Sequence, residues 1–222
     1  MDSRVVVITG ATGVLGKLAA QTFAARGDSI VLLSRDQAEV DSLARDLNLP
    51  SDRLLARAVD LLDAPTLRAA AEAVAAQFGG VHILIHLVGG WTGGKTILET
   101  SVDDFAFMFN QHAWTTVHLF QAFAPLLASG GRVIVVSSPL ANAPVTKMSA
   151  YAAAKSAQET LVLTLAEELR ENGMTANVIQ VKSIDVKGTG KGTSPKEIVA
   201  AMEYLCSEEA SKVTGARLPI FR

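Results

Sequence analysis

The chain of 222 residues holds one cysteine, Cys206, so an internal disulfide is impossible and a reducing, cytoplasmic setting is expected. Aromatic residues amount to only 5% against 49% hydrophobic residues in all. Much of that apolar content is Ala, Val and Leu, which suits helices packed closely on a buried parallel sheet. Lysine and arginine never cluster and the formal net charge is −2, which argues against nucleic acid or an anionic membrane as a main partner. No apolar run approaches the length of a membrane span. Only Val5 to Ile8 precede Thr9-Gly10, too few residues for the hydrophobic segment of a secretory signal. Linkers, repeats and low-complexity tracts are missing, so one domain over 1–222 is expected. His112 and His118 read as structural or exposed, and metal-ligand spacing is not found.

What is present is a rhythm. Short β-branched runs at Val5 to Ile8, Ile30 to Leu33, Leu54 to Val59, Ile83 to Val88, Val133 to Val136 and Ala176 to Val181 alternate with helix-length segments. Those segments are Leu15 to Arg26, Gln37 to Leu47, Ala64 to Phe78, Val102 to Leu127 and Ser149 to Asn172, with a break expected near Pro125. A helix from Pro195 to Leu205, capped by Ser194, and a short strand at Leu218 to Ile220 close the pattern. Alternation of this kind predicts a doubly wound α/β fold of the Rossmann type, a parallel sheet of about seven strands flanked by helices.

The chemistry is expected in the helix that opens Ser149-Ala150-Tyr151-Ala152-Ala153-Ala154-Lys155. Residues four apart share a helix face, so Tyr151 and Lys155 project side by side. Free tyrosine titrates near ~10, and acid-base work at neutral pH wants a value nearer ~7, a gap of about 4 kcal/mol. A nearby cation favours the phenolate and narrows that gap. Tyr151 then gives a proton to a carbonyl oxygen or takes one from an alcohol. Ser138, at the end of a strand at the same sheet edge, places a hydroxyl where it can bond such a carbonyl. Asn110 is disfavoured inside a helix, which points to a specific partner for its side chain.

The first strand-to-helix turn reads Thr9-Gly10-Ala11-Thr12-Gly13-Val14-Leu15-Gly16, where a dinucleotide's pyrophosphate needs a tight turn and the free N–H groups of a helix start. The second strand ends in Leu33-Ser34-Arg35-Asp36. Ser34 and Arg35 suit the 2′-phosphate of NADP, whereas Asp36, one register step away, would restore the acid of an NAD site. Asp60-Leu61 after the third strand meets an adenine amino group, or else Asp60 caps the next helix. His86-Leu87-Val88-Gly89-Gly90-Trp91 lies at the carboxyl edge of the sheet, where glycines admit a cofactor and Trp91 offers either a flat substrate wall or ordinary loop packing.

Together these residues resemble the short-chain dehydrogenase/reductase family along essentially the whole chain. Tyr151 and Lys155 match its Tyr-x-x-x-Lys motif, with Ser138 at the expected spacing and Asn110 in the expected helix. The resemblance implies that Tyr151 is the acid/base, that Lys155 lowers its pKa and holds the nicotinamide ribose, that Ser138 orients the carbonyl, and that Asn110 supports a proton relay through Lys155. It implies NADP, with NAD as the other option, bound by Gly10, Thr12, Gly13, Val14, Leu15, Ser34, Arg35, Asp60, Leu61, Val88, Gly89 and Lys155. The implied partner is a small carbonyl or alcohol, in a homodimer or homotetramer paired through the helices of Asn110 and Lys155.

Several positions depart from the family pattern. The glycines follow Gly-x-x-Gly-x-x-Gly, a form more usual in extended and atypical branches. His86-Leu87-Val88-Gly89 replaces Asn-Asn-Ala-Gly and loses an asparagine that braces the sheet. Val181-Lys182 stands where Pro-Gly is usual, and Val186 where a threonine often meets the nicotinamide. Residues 186–194 are short and rich in glycine, as in a mobile substrate lid. The loop Gly89-Gly90-Trp91 also looks like that of dihydropteridine reductases, so a pteridine reductase is one alternative. A nucleotide-binding regulatory or scaffold protein without turnover is the other.

Overall fold

The computed structural model describes residues 3–221. Seven parallel strands form one sheet in the order β3-β2-β1-β4-β5-β6-β7. They are β1 (Val5–Thr9), β2 (Ser29–Ser34), β3 (Leu54–Ala58), β4 (Val81–His86), β5 (Leu127–Ser137), β6 (Thr175–Gln180) and β7 (Arg217–Pro219). The strands read as continuous apolar runs because both faces are covered. Along β1, Val5 and Val7 turn to one side, where they pack with Leu67 and Val74 of α3 (Ala64–Phe78), Phe123 of α5 (Thr115–Phe123) and Val162 of α6 (Ser149–Leu169). Val6 and Ile8 turn to the other, against Phe23 of α1 (Val14–Ala25), Leu43 of α2 (Gln37–Leu47) and Met202 of α7 (Pro195–Leu205).

Helix boundaries follow local chemistry. Asp36 caps α2 by accepting from the Glu39 N–H at 3.0 Å, and Asp63, not Asp60, caps α3. Ser194 and Glu197 form a reciprocal capping box on α7, with Pro195 in its first turn. The one long helix expected from Val102 to Leu127 is instead two. A π turn at Asn110–Trp114, in which the Thr115 N–H reaches the Asn110 carbonyl, separates α4 (Val102–Phe109) from α5. The helix then stops at Phe123 ahead of Pro125, and Leu127 already belongs to β5.

Strand order reverses between β1 and β4, and the carboxyl ends of these two strands frame the crevice of the fold. His86 braces that junction: its Nδ1 lies 2.7 Å from the Thr9 hydroxyl across the two strands, so an imidazole takes over the bracing that the family's asparagine would give. Farther along the sheet, the fully buried Glu159 of α6 accepts from Gln180 Nε2 at 2.9 Å and from Arg217 Nε at 2.6 Å, which ties the edge strand β7 to α6. No helix among the described residues is long and apolar enough to cross a membrane.

Burial, and then the charge of Lys155, hold the His86 imidazole down at about 3. The unfolded chain binds that proton near the ordinary ~6.5. Between these values the unfolded state takes up a proton that the folded state refuses, so stability falls as pH drops from ~6.5 toward 3. Urea unfolding measured across this window is expected to show that loss, and His86→Asn to reduce the slope by about one proton. An unchanged slope in the variant would mean that His86 does not titrate on unfolding.

Candidate functional site

The crevice begins with the turn between β1 and α1. Gly10 sits at φ +69°, and a Cβ there would stand 3.1 Å from the Leu87 backbone, so only glycine suits the close approach of the two loops. At Gly16 a Cβ would come within 2.4 Å of the Gly10 carbonyl, which glycine avoids as α1 leaves the turn. Val14 and Leu15 open α1, so the turn and the start of a helix are presented to the cleft. Thr12 does not line it: its hydroxyl meets that of Ser34 at 2.8 Å and ties the turn to the end of β2.

Two cavities share Gly10, Gly13, Leu87, Val88 and Gly89 and so form one continuous cleft along the carboxyl edge of the sheet. The outer one, about 260 Å³, is lined by Ser34, Arg35 and Asp60. Asp36 is engaged in capping α2 and is not part of this wall. Asp60 spends one carboxylate oxygen on the Leu62 N–H at 2.9 Å. Leu61 is buried in the core and Leu62 lines the cavity instead, on a turn closed by the Asp63 N–H to the Asp60 carbonyl at 3.0 Å.

The inner cavity, about 500 Å³, holds Tyr151 and Lys155 together with Trp91, Val181 and Val186. Trp91 is 60% exposed and Val186 58%, so both stand at the mouth. Ser138 is buried and its Oγ accepts from the Leu140 N–H at 3.3 Å, with its hydroxyl near enough to the Tyr151 phenol to favour the phenolate. Burial pushes the phenol above its ordinary value, and the nearby Ser138 hydroxyl opposes that rise. Lys155 is also buried, but its Nζ donates to the Val136 carbonyl at 3.0 Å and to Gln158 Oε1 at 2.8 Å. Burial pulls this ammonium down to about 7, with Glu159 acting the other way. The fall in the Tyr151 pKa expected from its lysine is therefore not found; a desolvated phenol and a desolvated amine each favour the neutral form.

Asn110 requires a correction. It is exposed and lines neither cavity, because the buried stripe of this helix runs through Met108, His112, Thr115 and Leu119. His112, left aside on sequence grounds, faces the cleft instead. Its Nε2 bonds the Gly90 carbonyl at 2.9 Å and its ring meets that of Tyr151 edge-on at 5.5 Å. A Cβ on Gly89 would fall 2.8 Å from His112 Cε1, so the glycine makes room for the imidazole. Burial, then Lys155, hold this imidazole at about 3 against the raising effect of the Gly90 carbonyl. Gln158 was likewise not singled out, although its position three residues beyond Lys155 places it on the same helix face. The spacing of Met108, His112 and Thr115 likewise carried the signal for His112. Among the described residues no group of three or more His, Cys, Asp or Glu is disposed to hold a metal.

The glycine-lined turn, the continuous cleft and the buried lysine at its inner end fit an extended dinucleotide, with its phosphates against the start of α1. The family profile described as short chain dehydrogenase matches residues 4–196. An uncharacterized oxidoreductase of Mycobacterium tuberculosis is 30% identical over 242 residues, covering 99% of this chain and 91% of that protein. The meso-2,3-butanediol dehydrogenase of Serratia marcescens is 27% identical over 237 residues, covering 99% and 93%. Among solved structures, a dehydrogenase/reductase from Sinorhizobium meliloti superposes with a TM-score of 0.89 at 25% identity, covering 99% of this chain and 94% of that one. The chain belongs to the short-chain dehydrogenase family, whose members are NAD(P)-dependent oxidoreductases.

Proposed function

We propose that the protein is an NADP(H)-dependent oxidoreductase that interconverts a small carbonyl and its alcohol, with Tyr151 as the acid/base. The observation that carries this reading is the Tyr151 phenol in the inner cavity, one turn from the buried Lys155 that lines the same cavity. NADPH, when bound, supplies the hydride. Gly10, Gly13, Val14 and Leu15 hold its phosphates, Arg35 and Ser34 its 2′-phosphate, Asp60 its adenine, Val88 and Gly89 its flank, and Lys155 its nicotinamide ribose. Support for NADP over NAD comes from Arg35 in the outer wall and from Asp36 being occupied as a helix cap.

A phenol held above its ordinary value is protonated at neutral pH and so is ready to act as an acid in the direction of reduction. As the substrate oxygen takes that proton, Ser138 donates to the same oxygen and the charge left on Tyr151 is stabilised by the Lys155 ammonium. Trp91 and Val186 give the substrate apolar walls, and residues 186–194 serve as its lid. A reducing, cytoplasmic setting agrees with Cys206, a buried thiol pushed up to about 12 by burial. Exposed Phe107 and Trp114 on the helices around Asn110 support pairing into a homodimer or homotetramer through that face.

Tyr151→Phe is expected to lower kcat by about 10²–10⁴-fold while NADPH binding, read by fluorescence, persists; full activity in the variant removes Tyr151 from the mechanism. Arg35→Ala is expected to weaken NADPH binding by about 10- to 100-fold and to leave NADH binding nearly unchanged. Equal losses for both nucleotides would contradict the 2′-phosphate assignment. Because Lys155 loses its charge as pH rises through about 7, carbonyl reduction is expected to be fastest below that pH and to decline above it. A rate that rises through the same window would be incompatible with an ammonium stabilising the phenolate.

A further inference from the structure

Gln158 is buried in the middle of α6, and each of its polar atoms is engaged. Its Oε1 accepts from Lys155 Nζ at 2.8 Å, and its Nε2 donates to the His112 carbonyl at 3.3 Å and to Thr116 Oγ1 at 3.0 Å. The Thr116 hydroxyl itself donates to the His112 carbonyl at 2.6 Å. Only one orientation of the amide satisfies this set, because a lysine amine bonded here must donate and a backbone carbonyl can only accept. The π turn thus holds Gln158, and Gln158 holds the amine.

The second protein partner of Lys155, the Val136 carbonyl, is also a pure acceptor. A protonated amine has three N–H donors, of which these partners use two, and Lys155 lines the inner cavity. A neutral amine has two N–H donors and one lone pair. Both bonds to the protein therefore survive loss of a proton, and the position that changes from donor to lone pair is the one toward the cleft. We propose that Gln158 is a positioning residue that fixes Lys155 so that the proton it gains and loses is the one facing the cleft.

Among the other titratable groups around the amine, the carboxylate of Glu159 acts on it through space and makes no hydrogen bond to it. Tyr151 and Glu159 face it along α6, His86 from β4 and His112 from the π turn. Glu159 is engaged by Gln180 and Arg217, and both imidazoles are neutral at the working pH. A neutral amide at position 158 accordingly leaves the amine free to titrate, whereas a carboxylate there would keep it charged.

This inference rests on the reading that Lys155 serves the reaction at Tyr151, so the test follows the amine directly as well as the rate. The Lys155 side chain is titrated by NMR in protein labelled at lysine, its resonance assigned by its absence in Lys155→Arg, and the pH profile of carbonyl reduction is measured in parallel. Gln158→Glu is expected to raise the titration midpoint by about 1 unit or more, and Gln158→Met, which leaves the charged amine short of a partner, to lower it. The decline in reduction rate is expected to move with each. Thr116→Val loosens the amide without replacing it and is expected to shift the midpoint in the same direction as Gln158→Met by less, which keeps the test open if either replacement fails to fold. A Lys155 midpoint that stays put in the folded variants overturns the proposal, since a merely structural glutamine would change stability and not the titration. A midpoint that moves while the rate profile does not leaves the positioning in place and removes Lys155 from the acid-base chemistry.

Discussion

An amine taken out of water is the constraint on which the inner half of the cleft depends. Burial of Lys155 favours the uncharged form, and its protein partners are the two acceptors that a strand carbonyl and a helix amide provide. To hold such a group, β5 has to lie within reach of a lysine side chain on α6, and the π turn has to lie within reach of Gln158. The apolar packing of Val135 and Val162 on that side of the sheet holds these elements at such a separation. Cleft geometry and core packing are therefore the same arrangement seen from two sides.

The parts of the site that depend on local spacing were legible in the sequence. Gly10, Gly13 and Gly16 announce a tight turn before a helix, and Tyr151 and Lys155 announce a shared helix face, because both signals lie within a few residues. Strand and helix order was equally legible from the alternation of apolar runs, down to Ser194 and Pro195 at the start of α7. Asn110 stands two residues from Met108 and so off the buried stripe, whereas His112, four residues on, lies along it; the helical spacing carried that distinction and residue type did not. Leu61 and Leu62 exchange places because residues 60–63 form a turn after β3, where neither strand nor helix periodicity applies. The partners of Lys155 were out of reach in another sense: Val136 is distant in sequence, and a backbone carbonyl carries no signature in residue type.

Departures from the family pattern take on physical meaning once placed. His86 crosses to Thr9 and braces the central strands where an asparagine is usual, at the cost of an imidazole that must stay neutral. Val181 and Val186 put apolar surface along the inner cavity where the family more often has a turn and a hydroxyl. Tyr151 and Lys155 keep the family motif at the inner cavity, while the glycine turn, the bracing of β1 to β4 and the positions of Val181 and Val186 vary around it.

The buried pair of Glu159 and Arg217 bears on how the inner cavity is set. Glu159 follows Gln158 directly and is pinned from the far edge of the sheet by β7. The azimuth of α6 about its own axis is thus indexed to a strand that touches neither cavity. A chain in which that outermost strand has not yet docked would carry every reactive side chain in the right order along the helix, yet present them at an unregulated angle to the crevice.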